Sequence, residues 1–411
     1  MKIMLAGGYD TENLGDHGML VVLIRDLKKF ESKIEIVLLS RHPDPMFDKL
    51  YNVRSILNLD HKTKKESLGR WFNGLNYGDD TNHLHTIWQE LKTSNLLVIG
   101  GGRLFIDITL DFMRGPLPYY ALLVTLAKFL GKPIMIFAKT IVPVKTDLGR
   151  DYLKYIVSNA DVITVREKAS AEELIKIGIP NSRVQIIPDP AFGLDYKNRK
   201  QNGFQILTDA GIRVNGKKFV AMNFRYTHLE SSVNENYCKT LATICDKLHE
   251  YLGVDILFVP QMTYNIDNPY NDDRELYKDI YKLCNFKNNI HVLNKRYNVY
   301  ETLSIYQCCE MVYSMRRHGI IFAATQYVPV FAISGERNTS YPMFELNLSD
   351  YIIKLSDLNR KDIDIIEKLV SAYKKREVIK NKLTNRLPEL QKKTTKYAKI
   401  ILDVIKSNQN Y

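Results

Sequence analysis

Two arginines and a histidine follow one another at Arg316, Arg317 and His318, where an apolar strand-like run gives way to an apolar helix-like run. Guanidinium groups bind anions through forked hydrogen bonds, and the amino end of a helix adds a positive partial charge. This junction therefore predicts an anion-binding site. An imidazole beside a bound anion can also transfer a proton, which makes His318 a candidate general acid.

Two glycine-rich segments follow predicted strands in the first half of the chain. GGYDTENLGD covers residues 7–16, and VIGGGRLFID, with three consecutive glycines, covers residues 98–107. Because glycine lets backbone amides approach an anion or a sugar, both segments are predicted to contact a ligand. A tight turn capped by Asp16 and a purely structural turn are the alternatives. The candidate residues are Gly8, Asn13, Asp16, Gly101, Gly102, Arg103 and Asp107.

Three further charged residues stand at the ends of predicted strands. Arg166 and Asp189 do so in the first half, and they can form an internal ion pair, which is the favoured interpretation of Asp189. Arg225 ends the first strand of the second half. Since ligands of parallel sheets bind beyond the carboxyl ends of the strands, Arg225 is predicted to face a ligand, with an exposed surface arginine as the alternative.

Short β-rich runs alternate with amphipathic stretches, a pattern typical of parallel sheets covered by helices on both faces. The predicted strands are KIMLA, IEIVLL, NLLVIGG, PIMIFA, DVITV and VQIIP, then FVAMNF, DILFVP, NIHVL, EMVYS and PVFAI. We therefore expect an α/β protein with two Rossmann-like, doubly wound domains facing a cleft. The predicted division is a first domain at 1–192, a linker with one short helix at 193–217, a second domain at 218–350 and basic terminal helices at 351–411.

Length and composition are those of an ordinary folded protein: 411 residues, of which 45% are hydrophobic and 25% charged. The 5 cysteines contain no C-x-x-C pair and are odd in number, so neither a disulfide framework nor a zinc site is predicted. The amino terminus lacks the apolar core of a secretory signal, and the most apolar stretch is too interrupted to span a bilayer. We expect a cytoplasmic protein without a metal.

The net charge of +12 is concentrated near the end of the chain, where residues 351–411 carry 15 Lys and Arg against 7 Asp and Glu. Few aromatic residues are interleaved there, which argues against nucleic acid as the partner. Peripheral contact with an anionic membrane is one interpretation of this charge; a solvated helical face is the favoured one. Two helices are predicted, at 361–380 and 387–405, with Ile365, Ile366, Leu369, Tyr373 and Val378 as a buried stripe.

With these motifs in place, the chain resembles the polysaccharide pyruvyl transferase family. The likeness covers residues 1 to about 350, through the opening glycine loop, IGGGRLF, TVREKAS, PDPAF and SMRRHGIIFAATQYVPVFAIS. The resemblance implies a fold like that of GT-B glycosyltransferases. It also implies transfer of a pyruvyl group from phosphoenolpyruvate to sugar hydroxyls of a cell-envelope polysaccharide or its precursor, in a cytoplasmic enzyme that uses no further cofactor.

The resemblance also assigns roles to the candidate residues. Arg316 and His318 match the family's Arg-Leu-His motif, in which Arg317 stands where leucine is usual, and Arg225 matches a donor-binding arginine. The donor is then expected at Arg166, Arg225, Arg316 and Arg317, catalysis at His318 and Asp16, and the acceptor at Gly8, Asn13, Gly101, Gly102 and Arg103. The expected partners are a small-molecule donor and a glycan or lipid-linked glycan acceptor.

Two other functions fit the same residues. In a GT-B glycosyltransferase, the arginines and the helix end would hold the diphosphate of a nucleotide sugar. In a non-catalytic sugar-binding homologue, the altered motif would have lost its donor chemistry. The acceptor sugar, the stereochemistry of a ketal and the oligomeric state are not predicted from the sequence.

Overall fold

A computed structural model describes most of the chain as two compact units. The described residues are 1–9, 12–58, 83–101, 105–107, 110, 115–196, 200–226, 231–263, 271–335, 337–359 and 364–409. The first unit comprises Met1–Thr11, Met19–Pro190 and Lys393–Tyr411, and the second comprises Glu12–Gly18 and Ala191–Lys392.

The first unit is built on a parallel sheet. Its strands are β1 (Lys2–Ala6), β2 (Glu35–Ser40), β3 (Arg54–Leu57), β4 (Leu96–Gly100), β5 (Ile134–Lys139), β6 (Val162–Val165) and β7 (Val184–Ile186). They pair in the order β3-β2-β1-β4-β5-β6-β7. The order reverses between β1 and β4, and β4 and β5 are buried along their whole length. Strands covered on both faces need continuous apolar runs, which is why these segments were readable from the sequence.

Helices cover this sheet. They are α1 (Leu14–Phe30), α2 (Pro45–Tyr51), α3 (His83–Thr93), α4 (Pro116–Phe129), α5 (Asp147–Ser158) and α6 (Lys168–Lys176). Asp44 caps α2 and Thr146 caps α5 through hydrogen bonds to backbone N–H groups. The side chains of α3, α4 and α5 pack with the sheet into one apolar core.

The second unit repeats this arrangement. Its strands are β8 (Phe219–Asn223), β9 (Asp255–Phe258), β10 (Ile290–Val292), β11 (Cys309–Ser314), β12 (Val330–Ser334) and β13 (Ile352–Lys354). They are parallel in the order β10-β9-β8-β11-β12-β13, so the order reverses between β8 and β11. The helices are α7 (Lys200–Asp209), α8 (Ser231–Leu252), α9 (Asp273–Leu283), α10 (Val299–Tyr306), α11 (Arg317–Thr325) and α12 (Arg337–Glu345). The two predicted doubly wound sheets are confirmed.

The carboxyl-terminal region contains α13 (Ile365–Lys374), α14 (Arg376–Thr394) and α15 (Lys396–Gln409). Three helices therefore stand where two were predicted. Val378 is 50% exposed, and the neighbouring Ile379 is buried in its place. The predicted stripe failed at this position because the break after Lys374 shifts the helical phase between α13 and α14.

The two units are divided differently from the expected domains. The range predicted as a linker contains a helix, α7, as expected, but it groups with the second unit. Residues 12–18, expected in the first domain, also group with the second unit, whereas Lys393 onward groups with the first. Residues group into a unit through contacts between segments that are far apart in the sequence. Local sequence patterns carry no information on such contacts, so this grouping could not be predicted.

The five cysteines are all buried and unpaired by disulfides. Burial raises the pKa of the Cys238 thiol to about 11 and that of the Cys308 thiol to about 12. These thiols therefore behave as small apolar side chains. Among the described helices, none combines the length and the apolar character that crossing a bilayer requires.

Candidate functional site

The carboxyl edge of the second sheet brings several predicted site residues together. β8 and β11 are neighbours at the point where the strand order reverses, which is where open α/β sheets bind ligands. The N–H of Met315 donates to the carbonyl of Asn223 over 2.8 Å, so the two strand ends stay joined beyond the sheet. The Tyr237 hydroxyl lies 2.9 Å from the Arg225 carbonyl and 3.0 Å from the Met315 sulfur. The backbone of Arg225 is thereby held beside the residue that precedes Arg316.

Arg316 occupies the residue before α11, with an extended backbone. Its N–H donates to the Ser314 hydroxyl over 3.0 Å, which closes the turn from β11 into the helix. Its guanidinium forms an ion pair with Asp273, the first residue of α9. The Arg316 side chain remains 20% exposed, and its Nε is buried without a hydrogen-bond partner among the described residues. The exposed part of this guanidinium can therefore bind a ligand while Asp273 holds Nη2 in place.

Asp273 was not identified from the sequence, where it reads as part of a helix start. The structure shows a side chain only 1% exposed, whose Oδ2 accepts the N–H groups of Gln261 and Met262 at 3.0 Å each. Burial raises the pKa of Asp273, while the charge of Arg316 acts in the opposite direction. The sequence signal that could have identified Asp273 is the pair of acidic residues at a helix start, Asp272-Asp273.

The loop before α1 lies on this edge of the second unit. Leu14 N–H donates to the Gln261 carbonyl over 3.1 Å, and Asn13 forms an isolated antiparallel bridge with Met262. Glu12 has a left-handed φ of 53° and is fixed by an ion pair with Arg296 over 2.7 Å. A non-glycine residue in this conformation is strained, so these contacts must hold it in place.

Gly15 packs directly against the imidazole of His318. A Cβ at residue 15 would lie 1.9 Å from Nδ1 of His318, so no other residue fits without moving the ring. Gly15 N–H donates to Oδ1 of Asn13 over 3.0 Å, and the Asn13 carbonyl accepts the N–H of Asp16 at 3.1 Å. Asn13 therefore shapes the start of α1, and Asp16, 3% exposed, lies in its first turn.

Arg317 projects over the ring of Tyr341, with its guanidinium carbon 5.3 Å from the ring centroid. Cation–π contacts of this kind hold a guanidinium without neutralising its charge. Arg316, Arg317 and His318 are all half-buried at the start of α11. The structure thus places the three residues at the helix start, where they contact Asp273, Tyr341 and Gly15 respectively, and their joint action on one ligand stays a prediction.

The carboxyl edge of the first sheet carries the other glycines. A Cβ at Gly7 would lie 1.9 Å from the Gly100 carbonyl oxygen, so the ends of β1 and β4 approach as closely as glycine permits. Gly8 is buried, and Gly101 has a left-handed φ of 69°. Gly102 and Arg103 lie outside the described residues.

Lys139 is a further residue at this edge that the sequence analysis missed. It ends β5, is 1% exposed, donates to the Gly101 carbonyl and lies 4.9 Å over the ring of Phe105. Its ammonium group therefore stabilises the glycine turn through the bond to the Gly101 carbonyl. The sequence signal for Lys139 was a lysine at the end of an apolar run, IMIFAK. Charged residues are common at strand ends, so this signal alone does not identify a functional residue.

Arg166 lies in the interior of the first unit. It forms the expected ion pair with Asp189 over 2.7 Å, with side chains 6% and 0% exposed. Its Nε and Nη2 donate to the Thr140 hydroxyl. The structure gives this arginine an internal structural role, and donor binding by Arg166 stays a prediction.

Asp107 stabilises a loop. Its Oδ2 accepts the N–H groups of Lys145 and Thr146 at 2.8 Å each and the Thr146 hydroxyl at 3.0 Å. The expectation that it lines a ligand site is therefore replaced by a role at the start of α5. Burial works to raise its pKa, but the bonds from Thr146 and Lys145 outweigh burial and hold the pKa below its usual value.

Replacing Asp107 with alanine should lower the free energy of unfolding by about 1 kcal/mol at pH 7. Because the folded-state pKa is depressed, this contribution is present above the unfolded-state pKa of about 4 and is lost as the pH falls through the folded-state value. Urea unfolding at pH 7 and at about pH 3 measures the difference. Asp151→Ala on the exposed face of α5 is the control, and a pH-independent effect of Asp107→Ala would refute the assignment.

The arrangement is chemically able to bind an anion, and an imidazole such as that of His318 is able to supply a proton. Three arginines lie on or next to the carboxyl edge of the second sheet, and within the described ranges no three His, Cys, Asp or Glu side chains group as metal ligands would. Guanidinium groups bind carboxylate and phosphate oxygens. The arrangement suits a small, multiply charged organic anion that reacts by protonation.

The sequence profile of polysaccharide pyruvyl transferases matches residues 13–337 of the chain. This range begins at Asn13, directly before α1, and contains the junction at Arg316. Over 435 aligned residues, the chain is 21% identical to the amylovoran biosynthesis protein AmsJ of Erwinia amylovora, across 99% of this chain and 100% of AmsJ.

Solved structures resemble the fold over nearly the whole chain. HepE of Anabaena in complex with UDP-glucose matches 99% of this chain and 100% of its own, with a TM-score of 0.63 at 12% identity. The UDP-GlcNAc 2-epimerase of Methanocaldococcus jannaschii matches 91% and 92%, with a TM-score of 0.56 at 13% identity. At these identities the likeness concerns the fold, and it confirms the predicted GT-B-like α/β class.

Proposed function

The chain belongs to the polysaccharide pyruvyl transferase family, and we propose that it transfers the pyruvyl group of phosphoenolpyruvate to a sugar, forming a ketal. The family makes it a transferase that acts in polysaccharide biosynthesis. The observation that carries the proposed donor is the junction before α11, where Arg316 and Arg317 flank the helix start and His318 packs on Gly15.

The charges of phosphoenolpyruvate match this junction. Its carboxylate and phosphate sit on neighbouring atoms, and Arg225, Arg316 and Arg317 supply guanidinium groups at one edge of one sheet. Asp273 forms an ion pair with Arg316 and so offsets part of its charge. Charge developing on the departing phosphate is stabilised by the same groups.

The chemical steps require one acid and a route for two hydroxyl protons. His318 gives its proton to the methylene carbon of phosphoenolpyruvate, which becomes a methyl group, and the adjacent carbon becomes electrophilic. A sugar hydroxyl adds to that carbon, and its proton returns to His318. Phosphate then leaves with its bonding electrons, and a second hydroxyl of the sugar closes the ketal and releases its proton to phosphate or solvent. Asp16 is the proposed second catalytic group.

Calorimetric titration with phosphoenolpyruvate and with UDP-glucose tests the donor. We expect heat from phosphoenolpyruvate, and phosphate release in the presence of a glycan acceptor. Binding of UDP-glucose alone would favour a nucleotide-sugar glycosyltransferase, the function to which the ligand in the HepE structure points. Binding of a glycan with neither donor would identify a non-catalytic homologue.

Replacing Arg317 with leucine should be tolerated. The change restores the residue usual in the family, and the cation–π contact with Tyr341 that it removes is worth about 0.5–1 kcal/mol. We expect kcat/KM for phosphoenolpyruvate within about fivefold of wild type, which corresponds to about 1 kcal/mol. Steady-state phosphate release measures it. Complete loss of activity would mean that Arg317 binds a different, more anionic ligand.

A further inference from the structure

The guanidinium of Arg316 is held by a buried cluster that consists of Asn223, Gln261, Asp273 and Tyr306. Gln261 Nε2 donates to the Tyr306 hydroxyl over 2.8 Å, and this hydroxyl donates to Oδ1 of Asn223 over 2.9 Å. Gln261 N–H donates in turn to Asp273. These four side chains are at most 3% exposed. The cluster is therefore a rigid support beneath the carboxyl ends of β8, β9 and β11.

The cluster fixes both the backbone and the side chain of Arg316. The Asn223 carbonyl accepts the N–H of Met315, one residue before Arg316, and Asp273 binds the guanidinium. A long side chain that is free in solution loses considerable rotamer entropy when it is ordered. Here that ordering is achieved in the folded protein, before any ligand binds.

The Asp273 carboxylate has three supports of its own. Two backbone N–H groups donate to Oδ2, Arg316 donates to Oδ1, and the residue stands at the amino end of α9, where the helix dipole favours a negative charge. The arginine side still has a buried donor, Nε, without a partner among the described residues. The side chain as a whole is 20% exposed, so the rest of the guanidinium can meet a ligand while Asp273 holds Nη2.

We propose that Asp273 is a positioning residue, which orients Arg316 so that its remaining donors meet an anionic group of the donor substrate. The inference rests on the proposed function for the identity of that anion. It assigns Asp273 no contact with the substrate. Its effect on the reaction is transmitted through Arg316, and it should appear in donor affinity more than in the chemical step.

The adjacent residue provides a matched control. Asp272 is also buried, it caps α9 through the N–H of Arg274, and it pairs with the Arg274 guanidinium instead of Arg316. Asp272→Asn and Asp273→Asn remove the same charge from neighbouring positions of one helix start. Asp272→Asn removes the ionic partner of Arg274, whereas Asp273→Asn removes that of Arg316.

We expect Asp273→Asn to raise the Kd and the KM for phosphoenolpyruvate at least tenfold, with kcat lowered less than threefold. Asp272→Asn should change both constants less than twofold, although thermal unfolding detects a loss of stability in each variant. Arg316→Lys supplies an ammonium that must serve either Asp273 or the ligand, and it should also raise the Kd at least tenfold. Adding Asp273→Asn to Arg316→Lys should raise the Kd by less than a further threefold, because both act on one contact.

A Kd of folded Asp273→Asn within twofold of wild type would overturn the inference, and so would an equal rise of the Kd in Asp272→Asn. If Asp273→Asn does not fold, a normal Kd in Arg316→Lys overturns it instead.

The same titrations with inorganic phosphate separate this inference from the proposed function. Should wild type bind phosphate but not phosphoenolpyruvate, the donor is wrong, and the comparison of the two aspartate variants with phosphate still decides the role of Asp273. Binding of neither anion by wild type refutes both.

Discussion

Replacing His318 with glutamine should lower turnover by about 100-fold or more while leaving the Kd for phosphoenolpyruvate within about twofold. General acid catalysis contributes typically about 10²–10⁴-fold to a rate, and glutamine has no proton to give at neutral pH. Its amide fills much of the imidazole's volume at the start of α11 and leaves Arg316 and Arg317 unchanged. Single-turnover phosphate release gives the chemical step, and calorimetric titration gives the affinity.

His249→Gln is the matched control for this experiment. His249 lies near the end of α8 and its Nδ1 is 2.9 Å from the Val254 carbonyl, so the variant tests loss of a structural histidine in the same unit. It should turn over phosphoenolpyruvate at the wild-type rate. If His318→Gln does the same, His318 is a structural residue at a helix start and another group supplies the proton.

Replacing Gly15 with alanine should cost turnover nearly as much as removing the imidazole itself. The new methyl group would occupy the space 1.9 Å from Nδ1 of His318, and the ring must rotate or shift by more than an ångström to accommodate it. Displacements of about 1 Å in a catalytic group typically cost about 100-fold. The residue is within α1, where alanine is the better helix former, so we expect the variant to fold.

The double variant Gly15→Ala/His318→Gln identifies the cause of that loss. If the methyl group acts by displacing the imidazole, it should change the rate of His318→Gln by less than about threefold. Two additive losses of about 100-fold would mean that Gly15 serves the reaction independently, for example through its backbone. A single Gly15→Ala variant with wild-type turnover would show that the imidazole has room to move without consequence.

The sequence predicts the sheets well because their central strands are buried on both faces. Runs such as LLVIG and VFAIS leave no alternative to a covered parallel sheet, and the residues that follow them are placed correctly at its carboxyl edge. Position after a strand also predicts that Arg316, Arg317 and His318 lie at a strand-to-helix junction. Elements with weak patterns were missed, such as the edge strands β3 and β13 and the short helix α2.

Contacts between distant parts of the chain could not be predicted. Asp273 and Arg316 are 43 residues apart, and only the folded sheet shows that one neutralises the other. In the same way, local rules interpret residues 12–16 as a turn capped by Asp16; the turn is present, but Asn13 makes the capping bond and Asp16 lies in the first turn of α1. Residues 12–16 also pack on Gln261 and His318, which are far away in the sequence. The spacing of residues along the chain does not predict such contacts.

Residues 12–18 belong to the second unit although the flanking residues belong to the first, and Lys393 onward returns to the first. Neither unit can therefore be cut from the gene as one uninterrupted piece. A fragment that starts at residue 191 would lack the glycine against which His318 rests. A chimaera meant to exchange donor chemistry between relatives has to take the seven codons for residues 12–18 together with those for 191–392.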